Sequence, residues 1–162
     1  MQILVQDVDC RCKCNDQSTV FNDICRDELK SPICLHDLCH SNIAWFIDRS
    51  LQNEYTDDWE LNSKNGIYIL WHKNDYCEKH ERFLMRALYV GKGNIGKRFR
   101  SHWKDKDFSN EMIIYFSYVE LVNRLSKYVE QLLLDLYAFP FNKSENYGEN
   151  ILYAHFDQGE VD

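Results

Sequence analysis

Apolar and polar positions recur with period two in the middle of the chain. From Asn65 to Trp71, Ile67, Ile69 and Trp71 share one face of an expected strand, and Tyr68 and Leu70 share the other. From Ala87 to Gly91 the same alternation sets Leu88 and Val90 on one side and Ala87, Tyr89 and Gly91 on the other. Each strand therefore displays one tyrosine opposite its larger apolar pair. A third run, Glu111 to Glu120, is rich in β-branched and aromatic residues and predicts a third strand.

Helical spacing appears in three other places. Ile43, Phe46, Ile47 and Leu51 form one stripe, with Ser41 as its expected N-cap. Ile95, Phe99 and Trp103 form a second, short one. Arg98 and His102 stack on the edge of that stripe, while Lys97, Arg100 and Lys104 face away from it. Leu125, Tyr128, Val129, Leu132 and Leu136 form the third, capped by Asn123 and ending near Phe139-Pro140. Glu130 lies off this stripe, with Leu133, Leu134 and Tyr137 around it.

The remainder divides the chain into an N-terminal Cys-rich and helical extension (1–64), a central module (65–146) and a tail that packs on the module (147–162). Within the extension, residues 1–8 suit an edge strand, Ser31-Pro32 a helix start, and Tyr55 to Lys64 a linker. His72 to Arg86 reads as an insert between the tyrosine strands, either a solvated long hairpin or a flap touching nucleic acid. Its second half is expected as a helical turn or an extension of the second strand. In the tail, Ile151 to Phe156 suits a last strand, and His155 a packing or surface position.

Charge sharpens the picture. The chain of 162 residues carries a net charge of −7. Residues 66–107 hold 10 basic and 5 acidic side chains, net +5, while residues 1–65 (12 acidic, 6 basic) and 108–162 (9 acidic, 3 basic) are each net −6. The basic segment is the one carrying the tyrosines, which favours phosphate binding there over a merely solvated face. A hydrophobic fraction of 44% supports a packed core and argues against global disorder. No run is apolar enough to span a membrane, and the N-terminus lacks signal-peptide character, so a cytoplasmic protein is expected, with specialised export into a target cell left open.

Of 7 cysteines, Cys10, Cys12, Cys14, Cys25, Cys34 and Cys39 precede residue 40, and Cys77 stands alone. An odd count without a secretion signal disfavours a disulfide framework. His36 and His40 lie among them, but no C-x-x-C pair does, so reduced thiols are expected ahead of structural zinc.

Gly66-Ile67-Tyr68 and Tyr89-Val90-Gly91, followed by Arg98, His102, Glu130 and Asn142 in that order, resemble the GIY-YIG endonuclease family. The similarity covers roughly 65–146, with Val90 in place of the usual Ile and a longer connection between the tyrosine strands. It implies an α/β (α+β) fold: a small mixed, mainly antiparallel three-stranded sheet flanked by helices. It implies hydrolysis of DNA phosphodiesters with Mg²⁺ or Mn²⁺. Glu130 would hold the metal; one carboxylate suits Mg²⁺, which keeps most of its waters. Arg98 would clamp the phosphate with its planar fork. Tyr68 would act as general base and Tyr89 would position the water. His102 would hydrogen-bond Tyr68, and Asn142 would brace the site. A phenol of pKa about 10 needs lowering for that task, and Lys92 follows Tyr89-Val90-Gly91 closely enough to be expected to do it. Lys97, Arg100 and Lys104 would contact the nucleic acid.

The expected role is a standalone effector or toxin nuclease, or a restriction or defence nuclease. An inhibitor, immunity or recruiting protein is a possible partner, and RNA a possible substrate. The competing class is a non-catalytic nucleic-acid- or protein-binding module on the same fold. Retention of Tyr68, Tyr89, Arg98, His102 and Glu130 together favours the enzyme.

Overall fold

The computed structural model describes residues 18–46, 63–97, 113–143 and 146–161. The expectations for residues 1–8, for Cys10, Cys12 and Cys14, for the stripe beyond Phe46, for most of the linker, and for Arg98, Arg100, His102 and Lys104 lie outside the described residues.

The protein is mixed α/β. Its centre is a hairpin of two 13-residue strands, β2 (Asn65–Cys77) and β3 (Arg82–Asn94). Of the alternatives for residues 72–86 the structure shows the long hairpin: residues 72–77 and 82–86 continue the two strands, the second as the expected extension, and Glu81 turns the chain at φ 51°. The next strand, β4 (Ile114–Glu120), pairs with β2 on its other side. Two short strands from the flanks complete the sheet: β1 (Ala44–Phe46) on β4, and β7 (Tyr153–Phe156) on β3. Among the described residues the sheet has five strands, not three, in the order β1-β4-β2-β3-β7, and every pairing is antiparallel. A separate parallel pair joins β5 (Tyr137–Ala138) and β6 (Asn150–Ile151).

The helix expected after Ser41 is replaced by β1. Asn42 adopts a left-handed conformation, φ 52°, which asparagine tolerates. The Ser41 carbonyl accepts from the Tyr118 N–H at 3.0 Å, and the Asn42 side chain donates to the Tyr118 carbonyl at 3.1 Å. Pairing with β4 thus begins where a helix would have started, so tertiary contact overrides local periodicity. Ser31-Pro32 opens no helix; the helix begins at Leu35.

Helices cover one face of the sheet. α1 (Ser18–Glu28) buries Phe21 and Cys25, and α2 (Leu35–His40) buries Leu35, Leu38 and Cys39. α3 (Asn123–Leu136) buries Ser126, Val129, Leu132, Leu133 and Leu134. A last turn, α4 (Gln158–Val161), adds Val161. These side chains join Ile67, Ile69, Trp71, Met85, Ala87 and Val90 in one continuous core. The described part of the N-terminal extension and the tail therefore share the module's core. Trp71 is fully buried; its indole N–H donates to Ser117 Oγ (3.0 Å), which donates to the Leu38 carbonyl (3.0 Å). That relay fastens α2 to the sheet centre and leaves no polar atom of it unpaired.

Two expectations about α3 are corrected. Its N-cap is Val122, without a side-chain cap, rather than Asn123. Its deepest positions are Ser126, Val129 and Leu133; of the expected stripe Val129 and Leu132 are buried, while Leu125, Tyr128 and Leu136 are only partly buried. The apolar stripe faces two partners, the sheet and α1, which widens it beyond a single seam.

Candidate functional site

The opposite face of the sheet holds a second, smaller cluster: Tyr68, Leu70, Leu88, Tyr89, Ile95, Ile114 and Phe116. The β2–β3 register places both tyrosines there, since Tyr68 pairs with Gly91 and Leu70 with Tyr89, and a bulge adds Leu88 to their side. Leu70 pairs with Tyr89 and Trp71 with Ala87, so Leu88 is the extra residue. Strict alternation put Leu88 beside Val90 and Ala87 beside Tyr89. The bulge reverses both, placing Leu88 with Tyr89 and Ala87 with Val90.

The rings of Tyr68 and Tyr89 lie 6.0 Å apart at 36°. They are not displayed as expected: Tyr68 is 0% and Tyr89 8% exposed. Gly91 stands opposite Tyr68, and a Cβ on it would fall 2.4 Å from both Cζ and Oη of that phenol. The motif's second glycine is therefore the floor on which the first motif's tyrosine rests. Gly66 answers to a different neighbour: a Cβ there would meet the Val119 carbonyl oxygen at 1.9 Å, so the glycine permits the close β2–β4 pairing.

The edge of β3 beyond β7 is covered by the segment after α3. The Ala87 N–H donates to the Leu152 carbonyl and the Phe141 N–H to the Leu88 carbonyl, each at 2.9 Å. Asn142 then takes both groups of one peptide neighbour: Val90 N–H donates to its Oδ1 (3.0 Å), and its Nδ2 donates to the Val90 carbonyl (2.9 Å). Asn142 thus acts as one residue of strand partner beside Tyr89, which is a bracing role and leaves its amide occupied.

The start of the basic helix is anchored to the same cluster. Asn94 Oδ1 caps the turn at residues 95–97 by accepting from the Lys97 N–H at 3.0 Å, and Ile95 is fully buried among the tyrosine-side residues. Lys97 is exposed.

Two site residues fall elsewhere. Lys92 pairs with Ile67, whose side chain enters the helix-covered core, so it lies on the face opposite Tyr68. The expectation that it lowers the Tyr68 pKa is corrected on that ground: paired residues share a face, and neighbours alternate. Glu130 is half-buried on α3, in the row of Ser126, Leu133 and Tyr137, on a helix whose packing side chains belong to the first core. The described residues therefore bring together Tyr68, Tyr89, Gly91 and Asn142, with Glu130 on the helix layer.

As a metal donor, Glu130 offers one partly desolvated carboxylate, which suits an oxygen-seeking divalent ion that retains waters. Among the described residues no three His, Cys, Asp or Glu side chains are grouped to hold a metal together. Cys25, Cys34 and Cys39 form no disulfide, and Cys77 Sγ lies 3.3 Å from His80 Nδ1. Burial pushes the Cys39 and Cys25 thiols up, which disfavours the thiolate that zinc requires. His155 is half-buried, and burial, followed by Arg82, His80 and His40, holds it below the usual histidine range. His72 is lowered likewise, by burial and then by Arg86.

Asn146 was missed in the sequence. Its amide closes on the Phe139 peptide, accepting from Phe139 N–H (3.1 Å) and donating to the Phe139 carbonyl (2.9 Å). The available signal was a second asparagine, four residues after Asn142, in a stretch without periodicity. No family model, no curated protein and no solved structure matches the chain. Among the described residues no helix is long and apolar enough to cross a membrane.

Proposed function

We propose that the protein is a divalent-metal-dependent endonuclease that hydrolyses DNA phosphodiester bonds, of the GIY-YIG type its motifs resemble. The observation that carries this reading is the tyrosine pair: two phenols from adjacent strands, 6.0 Å apart, closed over a glycine that has no room for a Cβ. Ordinary core packing needs neither two phenols nor a glycine beneath one of them. The basic turn anchored beside the pair gives phosphate a reason to approach there.

In this reading Tyr68 takes a proton from the attacking water and Tyr89 orients that water. Arg98 clamps the phosphate, and His102 hydrogen-bonds Tyr68. Lys97, Arg100 and Lys104 hold the flanking backbone. Asn142 keeps the Tyr89 strand in place, a positioning role. Glu130 would hold Mg²⁺ or Mn²⁺, which supplies positive charge against the developing charge on the phosphoryl oxygens. Because Tyr68 is fully covered, substrate reaches its hydroxyl only when its covering residues move aside. The biological setting that suits an acidic chain with one basic segment is an effector or toxin nuclease, or a restriction or defence nuclease.

The test is cleavage of supercoiled plasmid by wild type, Glu130→Ala and Tyr68→Phe, with Mg²⁺ or with EDTA. Nicking or linearisation that needs the metal, Glu130 and the Tyr68 hydroxyl is the expected result, with each substitution lowering the rate by about 10²-fold or more. A folded wild type that binds DNA but cuts neither DNA nor RNA with Mg²⁺ or Mn²⁺ sinks the enzyme and leaves the binding module. That second reading draws on the burial of Tyr68.

A further inference from the structure

Glu130 and Tyr89 sit on different layers of the molecule, yet a short hydrogen-bonded path connects their backbones, and Asn146 is its middle link. At the helix end, the N–H groups of Tyr147 and Gly148 both donate to the Leu134 carbonyl at 3.0 Å, one turn beyond Glu130 on α3. Gly148 lies against Tyr137, where a Cβ would come within 2.2 Å of the backbone nitrogen. The residues just after Asn146 are thereby seated on the helix. The Asn146 side chain then reaches the turn that follows the helix. It accepts from Phe139 N–H (3.1 Å), donates to the Phe139 carbonyl (2.9 Å), and reaches the Asn142 carbonyl at 3.4 Å. The Asn142 N–H closes the same turn on the Phe139 carbonyl (3.0 Å). From that turn, Phe141 and Asn142 hold Leu88 and Val90 on either side of Tyr89.

We propose that Asn146 is a positioning residue of the nuclease site, registering the helix of Glu130 against the strand of Tyr89; this rests on the nuclease reading above. Both ends of its amide are in use, so the function is specific to asparagine. Aspartate keeps the acceptor for Phe139 N–H and loses the donor to Phe139 and Asn142. Alanine loses both. Glutamine, one methylene longer, reaches neither group without moving the turn. A slip of the turn is passed to Tyr89 because β7 pairs only with Phe83 to Arg86, which leaves Leu88 and Val90 of β3 to Phe141 and Asn142 for their outer hydrogen bonds.

The experiment uses the full chain with Asn146→Asp and Asn146→Ala, and two readouts on each. The first is hydrogen exchange at the Val90 and Phe141 amides, referenced to the buried Trp71 indole N–H of the same molecule. The second is steady-state plasmid nicking with Mg²⁺. Expected for Asn146→Ala is faster exchange at Val90 and Phe141 with the Trp71 indole unchanged, and a kcat lower by about 10²-fold with KM held within about twofold. Asn146→Asp is expected to fall between Asn146→Ala and wild type in both, and it carries the test if Asn146→Ala does not fold. Unchanged Val90 and Phe141 exchange overturns the link. So does a uniform rise in exchange, Trp71 included, with kcat unaltered, because that marks a structural role alone. A wild type that cleaves nothing overturns the nuclease reading, and with it the catalytic meaning of the link, whatever the exchange data show. The two failures are therefore distinguishable.

Discussion

On one face of the sheet, Ile67, Ile69, Trp71, Met85, Ala87 and Val90 meet helices; on the other, Tyr68, Leu70, Leu88 and Tyr89 meet Ile95, Ile114 and Phe116. The first face is bulk apolar packing, with one polar relay through Trp71 and Ser117. The second places two phenols within reach of each other and keeps the space under one of them free with a glycine. The same two strands supply both faces, so the difference lies in parity along the strand and in the bulge at Leu88. A core face tolerates exchange of one apolar residue for another of similar volume. A face that holds two phenols in register over a glycine does not, because its geometry is set by individual contacts.

The largest break is expected on the helix side. Phe21→Ala empties a fully buried site where α1 enters the core, and should cost about 3–5 kcal/mol of stability by urea unfolding. If the comparison holds, the folded fraction of that variant keeps the nicking kcat of wild type. Gly91→Ala is the smaller break, on the tyrosine side. Its Cβ has to displace the Tyr68 ring end, a cost of about 1–3 kcal/mol, and the folded protein should lose activity out of proportion to its stability. Equal activity loss in the two variants, at matched folded fraction, would erase the distinction between the faces.

The smallest effect is in pH. His72 and His155 are held below the ordinary histidine value by burial, with nearby cationic side chains adding to it. The native state therefore binds fewer protons than the unfolded chain once the pH falls below about 6.5. Their contribution to stability is present above that value and is lost as the pH drops through their lowered folded values. Urea midpoints measured between pH 7.5 and 5 should fall, and a His72→Gln, His155→Gln double variant should flatten that slope. An unchanged slope would show that neither imidazole is kept neutral by the fold.

Much of the sheet was legible. Alternation at Ile67 to Trp71 and at Ala87 to Gly91, and the β-branched and aromatic residues of Glu111 to Glu120, placed the three inner strands. Of the two edge strands, the one in the tail was expected within Ile151 to Phe156 and the other was not. Ala44–Phe46 is three residues long and overlaps a helical-looking stripe, and only its pairing with β4 makes it a strand. The hairpin extension at residues 72–77 and 82–86 was legible only as one of two alternatives, because of its charge. Lys73, Arg82 and Arg86 look like loop residues in sequence, but they lie on strands whose backbones pair regardless of side-chain polarity.

The sequence by itself determined which residues are available for chemistry and roughly where they sit along the strands: Tyr68, Tyr89, Gly91, Glu130 and Asn142, with a basic segment between flanks of opposite charge. Those follow from residue type and from periods of two and 3.6, which act over a few neighbours. Only the tertiary structure decided that Leu88 bulges, that Lys92 faces away from Tyr68, that both phenols are covered, and that Asn146 connects the helix of Glu130 to the strand of Tyr89. A bulge shifts parity without leaving a composition signal. An asparagine amide finds a peptide 52 positions away, as Asn142 finds Val90, only after the core has closed around both.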